Sequence, residues 1–171
     1  MADVLTVTLV LLGLLVTLPA LWLFLRALFP AAVERSRSRL ESSPGTCFLV
    51  GLLPWAVFFL VGLGLLSKGP PALKVLGFLL FAGGMLVEGV GLAALSALLG
   101  DRLPSAADAG RPWRGLLRGA VCMELAFLLP FVGWFGVMPL VSIAAVGAAL
   151  LASFPPAGAA PAEAAPPAPA A

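Results

Sequence analysis

Four long apolar stretches, Val4–Phe29, Thr46–Leu66, Val75–Gly100 and Gly119–Phe154, are separated by three short linkers that hold nearly every charge of the chain. A helix rises about 1.5 Å per residue, so each stretch is long enough to cross a hydrocarbon layer of about 30 Å. Such a layer offers no water to the backbone, and uninterrupted apolar runs of this length satisfy their own N–H and C=O groups as helices. The expected fold is therefore all-α, an integral membrane bundle of four or five transmembrane or re-entrant helices over residues 1–154. The Ala/Pro-rich remainder, residues 155–171, cannot bury a core and is expected to be disordered.

Composition closes most enzymatic routes. Apolar residues make up 61% of the chain and charged residues 11%, against roughly 25% charged in soluble domains. Histidine is absent, and with it the commonest general base, metal ligand and haem ligand. An aspartyl mechanism needs two carboxylates at one site, whereas Asp3, Asp101 and Asp108 all lie outside the apolar stretches. Cys47 and Cys122 form no C-x-x-C pair and are expected to be small buried apolar residues. No catalytic, cofactor-binding or metal-ligating set follows from these residues. Basic and aromatic residues do not alternate as a nucleic-acid surface would require.

The distribution of positive charge sets an orientation. Four basic residues lie around the first linker (Arg26, Arg35, Arg37, Arg39), two in the second (Lys68, Lys74) and four in the third (Arg102, Arg111, Arg114, Arg118). Under the positive-inside rule the first and third linkers face the cytoplasm, and the N-terminus and second linker lie outside. The first stretch lacks the basic start of a secretory signal and reads as a retained anchor, with Trp22 toward the cytoplasmic interface. Arginines at every second position of the first linker do not share one helical face, so Pro30 to Gly45 is expected to be a solvated connector. Arg35, Arg37, Arg39, Arg111, Arg114 and Arg118 are expected at the lipid headgroups, each contributing about 1 kcal/mol of attraction to an anionic surface. Trp113 is the matching aromatic anchor.

Proline and glycine mark the interruptions. Pro19 predicts a mild kink, and Gly69-Pro70-Pro71 predicts a tight antiparallel hairpin between the second and third stretches. The last stretch is too long for one ordinary crossing and short for two. Pro130, Gly133 and Trp134 interrupt it, which predicts two short helices meeting at a break, as a re-entrant or a tight two-crossing hairpin.

The third stretch is the most specific. Gly89, Ala93 and Ala97 recur at four-residue spacing and present a face on which another helix can approach closely, with Gly84 and Glu88 on a neighbouring face. Glu88 and Glu124 are the only acids within the apolar stretches, and an ionisable group at that depth is costly enough to be a functional candidate. Their depths are expected to differ by roughly 9 Å at the helical rise, a spacing that suits a water-bridged relay and not a shared-proton dyad. Each is expected to point into the bundle, protonated or paired.

Several pieces carry a resemblance: Leu28-Phe29-Pro30 with Val33-Glu34-Arg35, then Pro44-Gly45 with Phe48 to Leu52, Leu99 to Leu103, and above all Leu129-Pro130-Phe131-Val132-Gly133-Trp134-Phe135 leading to Pro139-Leu140 and Gly147-Ala148. Over residues 20–152 the chain resembles a group of small bacterial membrane proteins of uncharacterised role, and is similar to the helical membrane region attached to some polymer-forming, bactofilin-like proteins. The resemblance implies a multi-pass protein of the bacterial cytoplasmic (inner) membrane with no established enzymatic activity, and the chain is expected not to be an enzyme. No repetitive β-rich polymer-forming domain is present in this sequence. The expected function is a structural or accessory module that packs against itself or another membrane protein through its small-residue faces, with the lipid bilayer as its constant partner and no nucleic acid. The alternative is a small proton- or ion-coupled transport component that uses Glu88 and Glu124.

Overall fold

The computed structural model describes residues 2–105, 108 and 110–154, with Ala2 and Pro112 described by backbone alone. The residues expected to form the tail, 155–171, lie outside the described residues. Six helices follow one another: α1 (Ala2–Leu28), α2 (Pro30–Ser42), α3 (Pro44–Lys68), α4 (Pro71–Asp101), α5 (Pro112–Phe127) and α6 (Val132–Ser153). No strand occurs among the described residues, and the fold is an all-α bundle. Helices α1, α3, α4 and α6 are each long and apolar enough to cross a membrane. The chain is a membrane protein.

Proline sets the helix starts. Pro30, Pro44, Pro71 and Pro112 each occupy a first-turn position. There the missing N–H would have had no intrahelical partner and the fixed φ is already helical. Interior prolines act differently. Helix α1 runs through the buried Pro19 without interruption. Pro54 in α3 is followed by a wide π turn over Val57–Val61, and a second π turn, Val132–Val137, stands just before Pro139 in α6. A proline withdraws one N–H and crowds the carbonyl four residues back, and a widened turn lets the helix continue past that defect.

The first linker corrects the expectation of a solvated connector, because Pro30–Ser42 is helical. Counting arginines hid the relevant pattern: Val33, Ser36 and Leu40 fall on one helical face, and all three are buried. Ser36 donates its hydroxyl to the Ala32 carbonyl at 2.8 Å, so its polar atom is satisfied within the helix. Trp22, expected toward the cytoplasmic interface, is enclosed by the bundle. It is 2% exposed and packs in the core with Leu25, Val33 and Leu40. Cys47 is buried, but Cys122 is exposed, which corrects its expected burial; it falls on the α5 face opposite that of Leu116, Ala120 and Met123.

The bundle closes along crossings of small residues. Helices α3 and α4 form the antiparallel hairpin, with Gly62 against Phe81 and Gly77 against Leu65 and Leu66. Helix α5 runs antiparallel to α4, Gly115 lying on Gly100 and Gly119 on Ser96. Helix α6 runs parallel to α4, with Ala145 on Gly91, and its other side meets α3 where Gly147 lies on Cys47 and Gly51 on Ile143. A Cβ at Gly51, Gly91, Gly100, Gly119 or Gly147 would run into the backbone of the neighbouring helix. Lipid tails are as apolar as leucine, so helix association in a membrane rests on such close van der Waals contact instead of on hydrophobic burial.

The core is lopsided. Its members from α4 are Val90, Ala93, Ala94, Ala97 and Leu98, all in the second half of that helix. The first half of α1, the second half of α3, the first half of α4 and the α5–α6 junction carry most of the exposed large apolar side chains, including Val4, Leu9, Leu60, Leu63, Phe78, Leu79, Phe131 and Phe135. That end of the molecule is a thin layer of helices that lipid must cover.

Candidate functional site

The two intramembrane acids are held in different seams. Glu88, on α4, is 7% exposed and faces the Ser142 hydroxyl of α6, itself buried. Because α6 runs parallel to α4 and Gly91 lies on Ala145, Glu88 and Ser142 stand at one level of the same seam. Glu124, on α5, is 4% exposed, and neither of its carboxyl oxygens has a hydrogen-bond partner among the described residues. It lines a cavity of about 240 Å³ between α1, α5 and the start of α6, together with Leu11, Leu14, Leu18, Phe127, Leu128, Trp134 and Met138. Glu88 therefore has a polar neighbour across its seam, whereas the Glu124 carboxyl is enclosed without a partner among the described residues.

The break in the last stretch builds one wall of this cavity. Helix α5 ends at Phe127, and Phe131 takes φ 63° and ψ −61°, with the Val132 N–H donating to the Pro130 carbonyl at 2.8 Å. That is a γ-turn, a sharp reversal that strains a residue with a side chain. The reversal brings Gly133 onto the carbonyls of Ala126 and Phe127, so α6 starts tight against the end of α5. Phe131, Trp134 and Phe135 point outward, 78%, 65% and 77% exposed.

The packing residues read from the sequence are all used within this one chain. Gly84 lies against the Phe58 ring and Gly89 against the Leu25 side chain, each too close for an added Cβ, and Ala93 and Ala97 are buried in the core. They serve several neighbours within the bundle, α1 and α3 among them. The tightest crossings, Gly51–Gly147 and Gly100–Gly115, were missed. Their signal was present as small residues four apart, Cys47 and Gly51, Ser96 and Gly100, Gly115 and Gly119.

The arginines divide by use. Arg37 pairs with Glu34 at 3.1 Å and with Asp101 at 2.7 Å, tying α2 to the end of α4. Arg118 pairs with Asp108. Arg114 sits over the Trp113 ring, 5.5 Å from its centroid, and Trp113 is half-exposed. Arg35 and Arg111 are exposed, and Arg39 is half-buried. A polar cavity of about 230 Å³, lined by Arg26, Asp101, Pro104, Ser105 and Asp108 and floored by Gly100 and Gly115, lies at the same end of the bundle. Among the described residues, no three His, Cys, Asp or Glu side chains come together as a metal site. No protein-family model, characterised protein or solved structure matches this chain.

Proposed function

We propose that this protein is a non-enzymatic, multi-pass structural or accessory module of the bacterial cytoplasmic membrane, the location implied by the resemblance drawn from its sequence. The observation that carries the reading is the use of the small residues: Gly51, Gly91, Gly100, Gly119 and Gly147 each accept a neighbouring backbone within the same chain. A transport path through a bundle needs polar positions at successive depths. Here the central seams are filled by glycine, alanine and aliphatic side chains, which suits a rigid scaffold in lipid. Its orientation follows the arginines, with Arg35 and Arg111 inside and Lys68 outside. Any partner, whether a second copy or another membrane protein, meets the outer faces of the helices.

A second reading, proton- or ion-coupled transport through Glu88 and Glu124, has one observation in its favour, the unpartnered Glu124 carboxyl. Purified protein in liposomes with an enclosed pH-sensitive dye separates the two. Under an imposed potential the scaffold reading expects proton flux equal to that of empty liposomes. Flux above that level which is lost in Glu124→Gln would replace it with the transport reading.

A further inference from the structure

The polar cavity of about 230 Å³ stands where three elements meet at the arginine-rich end of the bundle. The end of α1 supplies Arg26, the end of α4 supplies Asp101, and the linker before α5 supplies Ser105 and Asp108, over a floor of Gly100 and Gly115. Asp101 and Asp108 each already hold one arginine through Oδ2, Arg37 and Arg118 respectively. A carboxylate accepts several hydrogen bonds, so this pairing offsets its charge and still leaves acceptor capacity for a further donor. Arg26 is placed differently. It is half-buried, it is the one cation among the described residues of the lining, and it makes no ion pair or hydrogen bond with another described residue.

We infer that this cavity holds a phosphoethanolamine group, its phosphate on Arg26 and its ammonium between Asp101 and Asp108. The guanidinium is a planar fork of donors that matches phosphate oxygens. The two signs in one lining narrow the ligand further. A simple anion on Arg26 would face two carboxylates, and a simple cation on the carboxylates would face Arg26, whereas a group carrying both charges meets each with its opposite. Carboxylates only accept, so the acidic side calls for N–H donors and selects a primary ammonium over a quaternary one. The volume falls below the roughly 300–1,000 Å³ of drug-sized sites, which suits a headgroup without its acyl chains.

In the orientation proposed above, this end of the bundle lies in the cytoplasmic headgroup layer, where the lipid itself supplies such a group. The half-exposed Trp113, two residues before Gly115, belongs to the aromatic type that collects at that level. The same group on a soluble ester reaches the cavity from the aqueous side. This site goes beyond the scaffold reading and does not depend on it.

Native mass spectrometry of the full chain in detergent, titrated with dihexanoyl phosphatidylethanolamine, tests the site. One adduct per chain is expected. Dihexanoyl phosphatidylglycerol, which lacks the ammonium, and dihexanoyl phosphatidylcholine, which lacks its N–H donors, should each bind roughly tenfold or more weaker. Arg26→Gln should weaken the ethanolamine lipid by a similar factor with an unchanged thermal unfolding midpoint, because Arg26 pairs with no other described residue. Gly115→Leu enters the cavity from its floor, where an added Cβ meets only Gly100 at 3.9 Å, and should abolish the adduct. Glycerophosphoethanolamine separates the two sources: competition by it supports a soluble ester as ligand, and lipid binding that it leaves untouched supports a headgroup presented by the membrane. Equal binding of the glycerol or choline lipid would overturn the inference. So would undiminished binding by Arg26→Gln, and so would the absence of a saturable adduct.

Discussion

A single methyl group separates the positions that close this bundle from those that do not. Gly147 and Gly51 each sit against the opposing backbone, so Gly147→Leu should prevent α3 and α6 from meeting, at a cost of about 3 kcal/mol or more, whereas Gly83→Ala, with open space around it, should be silent or slightly stabilising. Thermal unfolding in detergent compares them, and equal midpoints would contradict the close-packed seam. Glu88 makes a similar contrast: Glu88→Gln keeps a donor and an acceptor for Ser142 and should be nearly neutral, while Glu88→Leu strands the buried hydroxyl and should cost about 1–3 kcal/mol. The same measurement reads it, and a larger loss for glutamine than for leucine would be the contrary result. Both acids were legible in the sequence because charge is so rare in the apolar stretches. Their partners were not, since Ser142 belongs to a helix separated from Glu88 by a linker, a further helix and a reversal, and only the direction of α6 brings it alongside.

At the scale of elements, hydropathy and proline located most of the helices, and the exceptions have physical causes. Helix α2 escaped notice because its buried face is only Val33, Ser36 and Leu40 amid arginines; burial there comes from what α4 and α6 offer, not from the run itself. Its tie to α4, Arg37 with Asp101, lies at a half-exposed surface, so Arg37→Ala should destabilise by no more than about 1 kcal/mol, and a double-mutant cycle with Asp101→Ala should show a coupling that shrinks in high salt. A salt-independent coupling would mean the pair is more enclosed than the geometry indicates. Helix α5 was divided wrongly between a linker and the fourth stretch: Arg114 and Arg118 mark its start as polar although Pro112 already begins the helix. The break after it was legible from Pro130 and Gly133. Its γ-turn was not, because a phenylalanine is a poor choice for that conformation. Phe131→Gly should therefore raise the unfolding midpoint, by an amount equivalent to about 1 kcal/mol, since the exposed ring gives up little packing within the chain. A lowered midpoint would show that the ring's contacts outweigh the backbone strain.

For the whole molecule, the directions of the helices bring the α5–α6 hairpin back to the end of the bundle it left, and in the topology proposed here α1, α3 and α4 each traverse the layer. Gly115 lies level with Gly100 at the end of α4, and Gly147 lies level with Cys47 at the start of α3, so both ends of the hairpin stand at the arginine-rich face. An even number of passes after α4 could not be read from composition, because the last stretch has a length between one crossing and two. The measurement that bears most directly on this account is labelling of single cysteines, placed at Arg35, Lys68, Arg111 and Phe154 in a background without Cys47 and Cys122, by a membrane-impermeant maleimide on intact cells. Position 68 should label from outside, and positions 35, 111 and 154 only after the membrane is opened. Labelling of 154 together with 68, on the side opposite 111, would show that the last stretch crosses once and would contradict the hairpin on which the cavity and the closed bundle depend.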